Sequence, residues 1–553
     1  MNGRTFAEAM CAAFVAAILL VPLLGGVPLF DWDEINFAEC AREMLVTGNY
    51  GRVTMNYAPF WEKPPLFFWL QAAAMRLFGI NEFSARLPNA VAGTATTALM
   101  YLAGVRLAGR RFALLWIFAY LGSFLPFLYF KSGIIDPVFN LFIYWSFFCL
   151  WLSKRRRGWA AIGGVLAGLA VLTKGPVGLL LPTLALAVLT ATYKFRLPVS
   201  TDRLLLYYGS AILSASSWFA YEWLTRGPDF IVEFVEYQIR LLRTEDAGHG
   251  GFFGYHFVVL LVGCLPASLF AIPGLAGVAN SPPQFHRWNL ALFWTVLAVF
   301  SLVETKILHY SSLCYYPLTF VAAWELHRRV GLRRWQTTSL IVAALLVGLA
   351  VNLLAWVGMN AQKIIPLVKD PFAAKNLEAQ VDWSYADAWP AWFWWLAVVI
   401  AVALTRKGAT FRGAAVLFGS TSLFLFFLTA GVVPKIERYT QGAAVDFFRS
   451  LEAKDVYVAT LNYKSYAHYF YARTMPPGWP PADFLVEGAI DKPAYFSVKI
   501  QHAGRYEGKL EKLYQKNGFV FFIRRPERNL DQSDGRSRSN GGNEMRISAK
   551  QRP

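Results

Sequence analysis

MCAAFVAAILLVPLLGGVPLFDWDE, residues 10–34, decides how the chain is to be read. From Met10 to Phe30 there is no charged side chain, and then Asp31-Trp32-Asp33-Glu34 follows at once. A bilayer core about 30 Å thick needs roughly 20 apolar residues per helix, so Met10–Phe30 reads as a membrane span with carboxylates waiting at its exit. Arg4 precedes it and no small-x-small cleavage site follows, so it reads as a retained anchor. Outward from this stretch the same signal repeats. About thirteen apolar segments begin near residues 10, 84, 111, 137, 158, 176, 203, 255, 288, 311, 336, 390 and 411. Composition agrees: 56% of the 553 residues are hydrophobic and 16% charged, against about 25% charged in soluble domains. The net charge of +18 comes from 53 Lys+Arg against 35 Asp+Glu. In a membrane protein such an excess marks basic cytoplasmic loops, so nucleic acid is not expected as a partner. Five cysteines with no CxxC pair form neither a disulfide framework nor a metal knuckle.

Lys and Arg collect in alternate gaps: Arg106, Arg110 and Arg111; Lys154 to Arg157; Lys194, Arg196 and Arg203; Arg328, Arg329, Arg333 and Arg334; Arg406, Lys407 and Arg412. Cytoplasmic loops retain these residues, which puts the N-terminus in the cytoplasm and the other set of loops outside. The expected organisation is an all-α membrane domain over residues 1–434, with residues 31–83 as a long first external loop. A small external α/β domain over 435–525 and a disordered tail over 526–553 follow. In the α/β domain, helices are expected at Gly442–Glu452 and Lys464–Ala472, and strands at 456–460, 496–500 and 518–523.

Ionisable groups gather in the external gaps. In the first loop, Ile35, Ala38, Ala41 and Leu45 recur at helical spacing behind Asp33-Glu34, which suits a helix lying along the membrane surface. Trp61-Glu62-Lys63-Pro64-Pro65 opens a second juxtamembrane helix, Leu66 to Phe78. Lys131 and Asp136 bracket one turn, and Lys174 sits in Thr173-Lys174-Gly175-Pro176. His249 and His256 lie in a Gly- and aromatic-rich stretch, and Glu304, Lys306, His309 and Tyr310 share a short turn. Charges near a bilayer are costly unless they pair, meet water or meet a charged ligand. A transporter would hold them near the midplane on broken helices. At span ends they suit a lipid phosphate held at headgroup level with its hydrocarbon between helices. Acids and cations around a lipid phosphate suggest glycosyl transfer from a polyprenyl-phosphate sugar. Lysines would stabilise the leaving phosphate and a carboxylate would take the acceptor's proton. No Gly-rich phosphate loop between strand and helix points to a soluble nucleotide-sugar domain.

These residues resemble the type C glycosyltransferases of membranes, in the branch of the 4-amino-4-deoxy-L-arabinose lipid A transferases and protein O-mannosyltransferases. The motifs are Asp33-Glu34 with Ala38-Glu39, Glu62-Lys63-Pro64-Pro65, Asp136-Pro137, Thr173-Lys174-Gly175-Pro176 and Lys306-x-x-x-Tyr310. The resemblance implies catalytic roles for Asp33, Asp136 and Glu34, and donor contacts for Lys63, Lys174, Lys306 and Tyr310. It also implies a divalent ion, zinc or magnesium, between Glu62 and His249. The implied donor is an undecaprenyl-phosphate monosaccharide, and the implied acceptor is lipid A or a related envelope glycan. The implied setting is the bacterial inner membrane, with the site facing the periplasm. Where the arabinosamine transferases follow the acidic pair with Thr-Arg-Tyr, this chain has Ile35-Asn36-Phe37. The loss of an Arg and a phenol leaves the sugar open.

Other readings stand beside this one. Asp33 and Asp136 are also natural helix-capping residues, and Lys63 and Lys174 could snorkel to headgroups. The same cations would serve a flippase for a lipid-linked sugar, and the same chemistry would serve a protein or polysaccharide acceptor.

Overall fold

Hydrocarbon offers the backbone no hydrogen-bond partner, so each apolar segment satisfies its own N–H and C=O groups as a helix. The computed structural model describes residues 3–243, 250–277 and 284–526. Helices occupy every segment expected to span. Among the described residues five are long and apolar enough to cross a membrane: Gly3–Leu20, Glu82–Ala108, Arg334–Met359, Tyr385–Arg406 and Thr410–Arg438. Shorter apolar helices include Asp136–Leu152, Gly158–Lys174 and Val177–Thr192. Their core is aromatic: Trp116, Trp288, Tyr144, Tyr316 and Phe320 are each 0% exposed.

The first helix stops at Leu20, ten residues short of the expected span. Pro22, Gly25, Gly26 and Pro28 turn the chain over residues 21–32. Lys131, from a distant turn, donates through Nζ to the carbonyls of Leu19 (3.2 Å), Leu20 (3.1 Å) and Pro22 (2.7 Å). An ammonium there satisfies the unpaired carbonyls of a helix end and complements its dipole.

The second correction concerns helix Asp33–Thr47. It was expected to lie on the membrane surface, yet every residue from Glu34 to Met44 is buried. Ile35, Phe37, Ala38 and Ala41 share one apolar cluster with Phe67 and Phe68 of helix Leu66–Phe78, and with Phe447, Phe448 and Phe470 of the C-terminal domain. Polar bonds fix this lid. Arg42 donates to the Thr474 carbonyl at 2.6 Å, and Asn56 exchanges two 2.8 Å bonds with the Trp479 backbone. The Leu29 N–H donates to the Tyr471 hydroxyl at 2.7 Å. Off the apolar face, Glu39 and Arg42 pair with each other inside the interface.

The C-terminal domain forms the expected α/β unit. Strand Tyr457–Leu461 runs parallel to Ala494–Lys499, which pairs antiparallel with Phe519–Arg524. A fourth strand, Glu511–Lys516, closes the edge. All six of its residues are exposed, which is why hydrophobic pattern did not find it. Charged side chains on an edge strand discourage pairing with another chain. Apart from Pro526, the expected tail lies outside the described residues.

Candidate active site

The four residues Asp31-Trp32-Asp33-Glu34 point three ways. Asp31 Oδ1 accepts from the Trp32 N–H at 2.9 Å and the Tyr466 N–H at 3.3 Å, so it ties the loop to the C-terminal domain. Burial pushes its carboxyl above the usual range. Trp32 has φ +74°, a region bulky L-residues seldom adopt. The neighbours that hold it there thereby set the direction of the next side chain.

Glu34 goes the other way, into the helix bundle. Arg86 grips it with Nε at 3.2 Å from Oε1 and Nη2 at 2.7 Å from Oε2. The N–H groups of Phe30 and Gly133 donate to the same carboxylate. At 2% exposure Glu34, for which the resemblance implies a catalytic role, is enclosed and fully engaged by Arg86 and two backbone N–H groups. Between these two anchors the side chain of Asp33 stays 42% exposed and points to His309.

Groups from five other segments gather near Asp33. Asp136, at the N-terminus of helix Asp136–Leu152, is nearly buried and takes a 2.7 Å bond from Lys174 Nζ. Lys174 ends helix Gly158–Lys174, where Gly175 follows with φ +106°. A Cβ on Gly175 would sit 2.5 Å from the Phe234 ring, so this turn requires glycine on both counts. The Lys174 ammonium also lies 5.2 Å from the centre of the Tyr310 ring. Lys63 Nζ is 3.4 Å from the Tyr237 hydroxyl, 4.8 Å from that ring's centre and 3.8 Å from Glu62. Burial pushes the Lys63 ammonium below its ordinary pKa, Glu62 pulls it up, and Lys174, Asp33 and Asp136 act on it in turn. Asp33, Asp136, Lys63, Lys174 and Tyr310 therefore share one electrostatic neighbourhood.

Two further residues belong to this neighbourhood: His309, read from sequence only as a member of its turn, and Tyr237, which was not singled out. His309 sits between the acids, Nε2 3.5 Å from Asp33 Oδ2 and 3.6 Å from Asp136 Oδ2. Tyr237 arrives on helix Asp229–Arg243, whose Phe230 and Phe234 pack on Trp218. The spacing of Phe230, Phe234 and Tyr237 was the available signal for that helix.

Lys306 belongs elsewhere. Its Nζ donates to the carbonyls of Ser301 (2.8 Å), Phe300 (3.3 Å) and Val303, at the end of helix Gln284–Leu302. It does for this helix what Lys131 does for the first. Lys306→Met should lower thermal stability by about 1–3 kcal/mol through orphaned carbonyls and leave donor KM unchanged. Thermal melting and steady-state kinetics on one preparation check both, and a raised KM at unaltered stability would return Lys306 to the donor site.

The expected metal pair is incomplete here. His249 lies outside the described residues, and Glu62 has a lysine ammonium beside it. Among the described residues no three His, Cys, Asp or Glu side chains cluster as a metal site.

The structure superposes on ArnT from Cupriavidus metallidurans bound to undecaprenyl phosphate with a TM-score of 0.75, covering 94% of this chain and 98% of that one at 19% identity. The apo form of the same protein gives 0.75 as well. The chain has the type C glycosyltransferase fold.

Residues 62–219, which hold Glu62, Lys63, Asp136 and Lys174, match the family model for dolichyl-phosphate-mannose-protein mannosyltransferase. Curated relatives carry the name undecaprenyl phosphate-alpha-4-amino-4-deoxy-L-arabinose arabinosyl transferase. One from Erwinia tasmaniensis is 28% identical over 56% of this chain and 57% of its own length. Others are from Shewanella sediminis, 26% identical over 76% of each chain, and Proteus mirabilis, 30% identical over 56% of this chain and 57% of its own. The alignments to the Erwinia and Proteus proteins thus span little more than half the length of those relatives. This fold brings Asp33, Lys63, Asp136, Lys174 and Tyr310 together from separate segments.

Proposed function

We propose that the protein is a glycosyltransferase that moves a monosaccharide from undecaprenyl phosphate to lipid A or a related envelope acceptor on the periplasmic side of the inner membrane. The observation that carries this reading is the meeting of two acids and two lysines from four separate segments at helix ends. The relatives' names support the donor and the alternating basic gaps support the orientation.

The chemistry follows from the charges. As the bond from the anomeric carbon to the phosphate oxygen breaks, its electron pair leaves on the lipid phosphate. Lys63 and Lys174 are placed to stabilise that growing charge in a partly dry cleft. A buried ammonium is itself costly, and an arriving phosphate offsets that cost for Lys63. Asp136 holds Lys174 in place. Asp33, the exposed acid, takes the proton of a hydroxyl acceptor, or orients an acceptor phosphate that is already ionised. The new bond forms from acceptor oxygen to anomeric carbon.

The test is purified protein in lipid with an undecaprenyl-phosphate monosaccharide, assayed for undecaprenyl phosphate release with lipid A, a polysaccharide or a protein as acceptor. Acceptor-dependent release supports transfer. Sugar crossing the bilayer still attached to its carrier would instead support a flippase.

A further inference from the structure

We propose that His309 is a positioning residue for the transfer, joining Asp33 and Asp136 through one shared imidazole N–H. The inference deepens the transferase reading and rests on it.

Asp136 Oδ1 is taken by Lys174, but its Oδ2 is buried with no hydrogen bond inside the protein among the described residues. A buried carboxylate oxygen left without a partner is costly. His309 Nε2 stands 3.6 Å from that oxygen and 3.5 Å from Asp33 Oδ2, beyond ordinary bonding range to each and equally placed between both. A proton on Nε2 would serve either acid at a small displacement and keep the two carboxylates from repelling one another. The ring is held for this task. The Ser312 hydroxyl donates to the His309 carbonyl, and Asn140, one helical turn beyond Asp136, donates to Ser312 Oγ at 2.8 Å. The turn that carries the imidazole is thereby pinned to the helix that carries Asp136. The Tyr310 ring, 5.4 Å away between centres, closes one side.

Charged groups face the imidazole from every segment packed on it. Asp33 comes from the first-loop helix, Lys63 from the loop after it, Asp136 and Lys174 from two spans, and His256 with Lys306 stands behind. Burial holds His309 below its ordinary 6.5, with Asp136 and Asp33 pulling it up and Lys174 and Lys63 pushing it down. As pH falls it gains a second proton, forms a full ion pair with Asp33 and blunts that acid's ability to take a proton. Turnover should therefore decline on the acid side as His309 titrates below 6.5.

His309→Ala should lower kcat about 10- to 100-fold with donor KM unchanged, the scale of losing one buried hydrogen-bonding partner. His309→Gln keeps an N–H without a titrating ring. It should recover most of kcat at pH 7.5 and move the acid limb to lower pH. A readout free of turnover is histidine-labelled NMR in nanodiscs, with the His309 signal assigned by its loss in His309→Gln. Asp136→Asn and Asp33→Asn should each shift the His309 midpoint downward, because each removes a charge that raises it. Full turnover by His309→Ala, an unmoved acid limb in His309→Gln, or a midpoint insensitive to Asp136→Asn overturns the proposal. Should the native protein release no undecaprenyl phosphate, the transferase reading falls, and the NMR titration alone decides whether His309 joins the two acids.

Discussion

Asp33→Asn lowers turnover toward a hydroxyl acceptor by about 10²–10⁴-fold, while undecaprenyl phosphate binding stays largely unchanged. Asn keeps the size and polarity of the side chain and removes only its capacity to hold a proton. The cations proposed to meet the lipid phosphate, Lys63 and Lys174, are carried by other segments and remain. Asp33 is also the acid an acceptor can reach, being 42% exposed where Asp136 is 3%. Toward an acceptor phosphate the loss is smaller, because that nucleophile arrives without a proton to remove. Only orientation is then lost, at tenfold for each ~1.4 kcal/mol. Single-turnover release of undecaprenyl phosphate, measured with each acceptor class, therefore tests the residue and sorts the acceptors. Undiminished release with every acceptor removes Asp33 from the mechanism.

The second large effect is on stability. Arg86, 2% exposed, donates to the Leu24 (2.8 Å), Val27 (2.9 Å) and Pro28 (2.8 Å) carbonyls as well as to Glu34. It stitches the turn after the first helix to the start of helix Asp33–Thr47. Arg86→Ala leaves a buried carboxylate and three carbonyls without this partner, and breaking such a pair costs about 3–5 kcal/mol. A marked fall in melting temperature is expected, with turnover falling alongside because Asp33 is displaced. Glu34→Ala should show the same coupled loss, and the double variant should lose less than the two singles combined. Asp33→Asn should melt like the native protein. If Glu34→Ala abolishes turnover while melting normally, Glu34 takes part in the chemistry and its pairing with Arg86 is incidental.

Asp33 and Glu34 also mark how far the residues could be read without coordinates. Both are acids at the exit of an apolar segment, and nothing local separates them. The separation comes from Arg86, some fifty residues along, which encloses Glu34, while Asp33, next to the positive-φ Trp32, stays exposed beside His309. Lys174 and Lys306 make the same contrast. Each follows a span, yet one meets an acid and the other only helix-end carbonyls. His309 was visible in its turn, but its distance to two carboxylates depends on three segments meeting. Helix Asp33–Thr47 was placed correctly and its surroundings were not, because a polar face looks the same whether water or an opposite charge satisfies it.

Span positions, the charged span ends and the α/β character of the C-terminal domain needed nothing beyond the order of residues. Lipid admits few backbone solutions, and alternating or unbroken apolar runs announce them. Which acid faces the cleft, which lysine caps a helix and what covers the first loop were settled only by folding. A charge takes its role from the partner within a few ångströms, and those partners lie tens to hundreds of residues apart in the chain.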